Sequence, residues 1–189
     1  MAKFLLVHYK RMLPLLFSLV LLVVSAGPGL ADIVPKSYLA LKGGYFSPTG
    51  DFQGDKLNGG PYWELAGGFN WGIFGAELGA GYLRAENARA DIQTVPILLS
   101  GKLQLPLVIL ALYARGGVGA YYTELDLKSG EGKGTKWSGG YHGGLGIDFR
   151  LGPVLVGIEG TYLATRPNFN VGEVTLDGVA VTGNLGFRF

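Results

Sequence analysis

From residue 37 to the last residue, apolar and polar positions alternate with a period of two. That period places successive side chains on opposite faces of a strand. Eight segments carry it, at 37–48, 61–71, 74–85, 92–104, 108–123, 137–151, 154–165 and 179–189. The longest apolar stretch, "VPILLSGKLQLPLVILALY", is broken by Lys102, Gln104 and Pro106, so it does not predict a membrane helix. The chain is therefore read as all-β. Joins around Gly72, near Leu105-Pro106 (105–107) and around Gly152-Pro153 are short. The joins "TGDFQGDKLNGG", "AENARAD", "ELDLKSGEGKGTK" and "RPNFNVGEVTLDG" are longer and polar. Short and long connections in alternation predict an eight-stranded antiparallel up-and-down barrel. Pro96 cannot donate to a ladder, so a bulge or kink is expected there.

The apolar register sorts by height. On alternately rising and falling strands, Tyr45, Trp63, Tyr82, Tyr122, Trp137 and Tyr162 fall near the long-loop end. Trp71, Phe74, Phe149, Phe187 and Phe189 fall near the short-turn end, with aliphatic and small residues between. Packing in a water-soluble core gives no reason for such sorting. Two aromatic girdles around an aliphatic band are the mark of a lipid-facing barrel wall. The predicted fold is thus a transmembrane β-barrel with short periplasmic turns, longer external loops and both mature termini periplasmic.

The opposite register should face the lumen. It carries Lys42, Glu64, Glu77, Lys102, Arg115, His142, Asp148, Arg150, Glu159 and Arg188 among Ser, Thr, Gly and Ala. A barrel of about eight strands is just wide enough for side chains to fill it. Near-balanced charge in so narrow a space predicts a paired, hydrogen-bonded plug. A soluble lipocalin-like barrel would show the inverse, apolar inside and charged outside.

The alternation continues past the girdles with its polarity inverted. Glu124 and Asp126 turn outward, and Leu125 and Leu127 inward. Before segment 8, Glu173, Thr175 and Asp177 turn outward, and Val174 and Leu176 inward. Leu125, Leu127, Val174 and Leu176 could line an external apolar collar for a small hydrophobic molecule, or form a self-packed cap. Alternatively, Asp177-Gly178 is a hairpin turn that breaks the register.

The first residues read differently. Lys3, Lys10 and Arg11 precede the apolar run "LPLLFSLVLLVV" and the small-residue stretch "SAGPGLA". The run is shorter than the ~20 residues needed to span a membrane as a helix. Residues 1–31 are read as a secretory signal peptide cut after Ala31, and 32–189 as the barrel domain. Its removal leaves 13 basic against 14 acidic residues, so the basic balance of the precursor is no sign of nucleic-acid binding. The absence of cysteine excludes disulfides and thiol chemistry. Charged residues make up only 16%, below the roughly 25% of soluble domains, consistent with surface that does not meet water.

The segments "LKGGYFSPTGDF", "FGAELGAGYLRAE", "YARGGVGAYY", "LVGIEGTYL" and "VTGNLGFRF" resemble the small outer-membrane β-barrel proteins, with members of the outer-membrane protein A, X and W type. The resemblance runs over the mature chain and implies a Gram-negative envelope. It implies outer-membrane lipids and lipopolysaccharide as surroundings. It also implies that Leu185, Phe187 and Phe189 act as a C-terminal signal for the outer-membrane assembly machinery. It brings no catalytic motif and no cofactor.

One histidine, His142, remains after the signal peptide, in "GGYHGGLG". Glu159 on the adjacent segment, or a lumen arginine, could pair with it. Pointing into the lumen, it is read as structural rather than as the acid–base group of a lipid-modifying enzyme. One histidine and no cysteine give no metal motif. The reading is of a monomeric, non-enzymatic barrel with a structural or surface-interaction role. Passage or binding of a small solute, as in W-type barrels, is the alternative.

Overall fold

A computed structural model describes residues 35–52, 55–128, 133–169, 172–173 and 175–189. The signal-peptide reading and Val174 lie outside the described residues. Eight strands form the wall: β1 (Lys36–Pro48), β2 (Gly60–Trp71), β3 (Phe74–Glu86), β4 (Ala90–Pro106), β5 (Leu110–Leu127), β6 (Lys133–Leu151), β7 (Val154–Thr165) and β8 (Gly178–Arg188). Each pairs antiparallel with its sequence neighbours, and β1 closes onto β8. The closing ladder runs from Tyr38 opposite Arg188 to Pro48 opposite Gly178. Beyond it, Phe189 N donates to Ser37 O at 3.0 Å and Ser37 N to Phe189 O at 3.1 Å. Closure leaves no open edge in the wall, which a bilayer requires.

The turns follow local chemistry. Gly72 and Gly152 hold φ of +59° and +64°. At Gly152-Pro153 the proline ring fixes the second residue at negative φ, so the pair fits a II′ hairpin turn, whose twist suits antiparallel strands. The third turn occupies Leu107, Val108 and Ile109, with Leu107 N donating to Leu110 O at 2.8 Å. Leu105 and Pro106 are still paired, with Leu112 and Ala111, so the turn lies beyond the expected 105–107 position. The three turns gather at one end of the barrel, here the turn end.

At the other, loop end, the connections differ from their polar composition. "AENARAD" shrinks to Asn87–Arg89, because the Asn87 side-chain oxygen accepts from the amides of Arg89 and Ala90 at 2.9 and 2.8 Å. Much of "ELDLKSGEGKGTK" is strand: β5 and β6 stay paired up to Asp126 opposite Lys133. Short ladders join Asp51–Phe52 to Asp55–Lys56 and Asn168–Phe169 to Gly172–Glu173. Asp177-Gly178 is no hairpin, since β8 pairs in constant register from Gly178 opposite Leu163 onward.

Pro96 makes no bulge. The β3–β4 register is the same below and above it, at Ala80–Ile97 and Leu83–Thr94. The ladder simply skips the two positions between, and Gly81 gives the proline ring room: a Cβ there would lie 3.3 Å from Pro96 Cγ.

The outer face is apolar over its height. Leu41, Leu65, Leu78, Leu99, Val118, Leu145, Ile158, Val181 and Leu185 are all exposed. Trp71, Phe74, Phe149, Phe187 and Phe189 stand exposed toward the turn end, and Tyr45, Trp63, Trp137 and Tyr141 toward the loop end. Tyr122 and Trp137 face each other across strands, with ring centroids 5.2 Å apart. So large a continuous apolar surface is untenable in water and natural in lipid.

Candidate functional site

The inward register builds a stack of layers. Near the turn end, Tyr38, Ala40 and Leu155 pack together. Above them lies an ionic knot of Lys42, Glu64, Glu77, Lys102, Arg115 and Glu159, all buried. Strand alternation alone brings these residues together, since each stands on the inward parity of a different strand, and closure of the barrel faces them.

Lys42 Nζ lies 3.1 Å from Glu64 Oε1, 2.8 Å from Glu77 Oε1 and 3.3 Å from Glu159 Oε2. The Arg115 guanidinium engages the same carboxylates. Nη1 is 2.9 Å from Glu64 Oε1 and 2.6 Å from Glu77 Oε1, and Nη2 is 2.8 Å from Glu159 Oε1. Nη2 also donates to Glu64 Oε2 at 3.1 Å, which makes the Arg115–Glu64 pair bidentate. Lys102 Nζ approaches Glu77 Oε2 at 3.5 Å and stands over the rings of Tyr38 and Tyr113, 4.8 and 4.1 Å from their centroids.

Each carboxylate also accepts from one tyrosine. Tyr38 donates to Glu77 at 2.6 Å, Tyr62 to Glu64 at 2.5 Å and Tyr113 to Glu159 at 2.8 Å. Asn184 Nδ2 donates to the Tyr113 hydroxyl at 3.1 Å, and Thr161 to Glu159 Oε1 at 2.7 Å. Three cations meet three anions, and hydroxyls take up remaining lone pairs. Buried ion pairs need this satisfaction to offset their desolvation. Small residues make room for the arms: a Cβ on Gly146 would strike the Tyr113 ring at 2.3 Å, and one on Gly79 would meet Glu64 Oε1 at 2.8 Å.

Four other inward-reading residues stand outside the knot. His142 Nε2 is 2.7 Å from Ser100 Oγ, while its Nδ1 has no partner among the described residues. Glu159, the partner considered for it in the sequence, is engaged by Lys42, Arg115, Tyr113 and Thr161 instead. Asp148 is half-buried with Oδ1 against Gly157, where a Cβ would come within 2.1 Å. Arg150 donates to Gln104 at 3.4 Å, and Arg188 to the carbonyl of Gly152 at 2.7 Å. These two arginines sit at the turn-end rim because their strand positions lie next to the turns.

Above the knot, Phe46, Tyr62, Leu83, Leu98, Tyr121, Leu163 and Ala180 form an apolar layer, each at most 2% exposed. Higher still, Leu57, Ala85, Ala90, Ile92, Leu125 and Leu176 form a second cluster, with Leu127 packed against it. Three of the four collar residues, Leu125, Leu127 and Leu176, are thus in contact with the protein's own side chains. Outside them, Asp126 pairs with Lys133 at 2.7 Å, and Arg84 pairs with Asp91. The wall's polarity has inverted there, as it must once water replaces lipid. Leu185, Phe187 and Phe189 stand exposed on the outer face. Among the described residues no three His, Cys, Asp or Glu side chains converge as a metal site.

A closed antiparallel wall, apolar outside and ionic inside, defines a membrane-spanning β-barrel. The chain belongs to the outer membrane protein beta-barrel domain family, whose model matches residues 16–189. It is a protein of the bacterial outer membrane. No curated protein matches it. Among solved structures it is similar to Neisserial surface protein A, at 12% identity and TM-score 0.58, over 82% of this chain and 97% of that one. The N-terminal barrel domain of Pseudomonas aeruginosa OprF matches at 14% identity and TM-score 0.53, over 82% and 97%. Ail, the attachment invasion locus protein of Yersinia pestis, matches in its complex with a heparin analogue at 15% identity and TM-score 0.52, over 82% and 98%. At these identities the likeness concerns the fold.

Proposed function

We propose that this protein is a non-conducting, non-enzymatic outer-membrane scaffold that acts through its loop-end surface. In this reading the loops face outside and both ends of the mature chain, after cleavage at Ala31, face the periplasm. The observation that carries it is the burial of Lys42 and Arg115 among Glu64, Glu77 and Glu159 beneath a dry layer of Phe46, Leu83, Leu98, Tyr121 and Leu163. A water-filled pore would leave its lining side chains wet, and these are not.

The same packing supports a cap rather than a ligand-holding collar, since Leu125 and Leu176 are 2% and 1% exposed against their own neighbours. Ser100 and His142 supply two members of a nucleophilic set. Among the described residues no group hydrogen-bonds Nδ1 to orient the histidine, which supports a structural pair. Leu185, Phe187 and Phe189 are proposed as the strand-borne signal read by the assembly machinery through strand addition. Ion conductance of the reconstituted barrel tests the reading: silence is expected, and steady steps would overturn it.

A further inference from the structure

The apolar band of the wall is inclined to the barrel. A ladder row followed from Ser37 on β1 to Phe69 on β2, and on through every strand to Val179 on β8, returns to β1 at Ser47, ten positions nearer the loop end. Rows therefore climb from β1 toward β8 while the strands lean the other way, at roughly 40° to the axis. Each strand crossed along a row then turns about 25° round the barrel and climbs about 3 Å. A step of one strand across and two residues up runs nearly parallel to the axis and rises about 8 Å.

Two columns of outward residues follow from such steps. Phe69, Leu78, Ile97 and Tyr122 make one, on β2 to β5. Leu110, Ile147, Gly160 and Val179 make the other, on β5 to β8. Each is about 24 Å tall, close to the apolar band of roughly 25 Å that outer-membrane barrels offer to lipid. Phe69 on β2 and Val179 on β8 share one row, so the columns face nearly opposite sides. That row climbs about 19 Å between them, which leaves the second column about 5 Å lower than the first at both ends. The offset carries on past both columns. Trp137, 58% exposed, stands beside Tyr122 above the top of the first. Leu107, Val108 and Ile109, 45, 97 and 65% exposed, hang below Leu110 at the foot of the second, where the other two turns use Gly72 and Gly152.

We propose that the Tyr122–Trp137 pair and the turn at 107–109 dock into the headgroup layers on the two faces of the bilayer, so that the barrel sits tilted by roughly 15–20°. In an upright barrel both features stand in water. They lie on opposite sides and at opposite ends, so a single lean submerges both. Tyrosine and tryptophan favour the interfacial level, and both features are continuous with the wall that already meets lipid. The lean lowers the β5–β6 hairpin toward the bilayer and lifts the side where Thr49 N donates to Asp177 O clear of it. It follows from the wall alone and holds whether or not the lumen conducts. On the reading of the loop end as the acting surface, a partner meets the side of Thr49 and Asp177 first.

The test uses the full barrel, folded into vesicles of phosphatidylethanolamine and phosphatidylglycerol at high lipid dilution. The chain has no cysteine, so nitroxides can be placed singly at Ser47→Cys and Thr135→Cys, both on exposed positions of the two sides. An upright barrel holds Thr135 about 10 Å farther from the bilayer than Ser47; the lean should cut that difference to about 5 Å, read from the accessibility of each label to a lipid-soluble and a water-soluble relaxant. With Trp63→Phe and Trp71→Phe, Trp137 becomes the sole tryptophan. Its fluorescence should be quenched by phospholipids brominated near the headgroup and shielded from iodide. A full 10 Å difference between the labels, or a Trp137 open to iodide and untouched by brominated lipid, would overturn the proposal. Shielding of Trp137 that vanishes on further lipid dilution would overturn it too, by assigning the pair to contact with a second copy. Should the tryptophan variant fail to fold, the two labels decide the matter alone.

Discussion

Lys42 and Arg115 hold the same three carboxylates. Each cation lies within 3.3 Å of Glu64, Glu77 and Glu159, and none of the five side chains is more than 2% exposed. The two strands that carry them, β1 and β5, are not neighbours, so the knot ties opposite sides of the barrel together through its centre. It is a cross-brace as well as a plug.

Removing one cation should therefore cost more than a surface charge. Lys42→Met leaves three buried carboxylates facing Arg115 and Lys102, with an expected loss of roughly 3–5 kcal/mol. The urea midpoint of the folded barrel in lipid vesicles, followed by tryptophan fluorescence, measures it. Lys42→Met combined with Glu159→Gln restores the charge balance and should lose clearly less than the two single changes added. Additive losses would mean that the two residues do not share one network.

The Ser100–His142 pair should matter for stability and not for chemistry. Ser100→Ala strips the buried imidazole of its hydrogen-bond partner, at a cost of roughly 1–3 kcal/mol. Mass spectrometry of lipid A and phospholipids from cells with and without the protein should show the same species. A lipid product that disappears with Ser100→Ala would make the pair catalytic.

Glycines differ sharply by face. Gly146→Ala drives a methyl into the Tyr113 ring and should destabilise by roughly 1–3 kcal/mol, the usual scale of overpacking. Gly160→Ala points into open space with nothing within 4 Å and should stay within about 0.5 kcal/mol of the parent. Thermal loss of the unheated gel mobility ranks the two; equal midpoints would contradict the packing around Tyr113.

Phe189 and Ser37 exchange both of their backbone bonds, so the last residue helps close the wall. If Phe189 is also an assembly signal, deleting it should lower the folded yield in cells far more than the yield of refolding into detergent. Equal losses in the two settings would reduce it to an interface anchor and closing contact.

Much of this architecture is legible in the sequence, because a period of two fixes both a strand and its faces. Leu41 beside Lys42 and Leu65 beside Glu64 already separate wall from lumen. The tyrosines are less legible. Tyr38, Tyr62 and Tyr113 share the inward parity of Lys42, Glu64 and Arg115, yet an aromatic ring suggests lipid when residue type is weighed before parity. Ser100 and His142 meet over β5, where Gly117 stands opposite both, so their pairing depends on the register of three strands, which no single segment encodes. The upper hairpin of β5 and β6 was obscured for a different reason. Glu124, Asp126, Lys133 and Lys136 have the composition of a loop, and only their alternation with Leu125 and Leu127 reveals strand. Arg150 and Arg188 carry the inward parity but stand next to turns, where a long side chain finds a carbonyl before it finds the knot.

The central claim is that the lumen is closed by its own side chains. Purified, folded barrel inserted into a planar lipid bilayer measures this directly, with insertion confirmed by the heat-modifiable gel mobility of the same sample. A silent membrane is expected for the parent protein. Steady, ohmic current steps from the parent would contradict it.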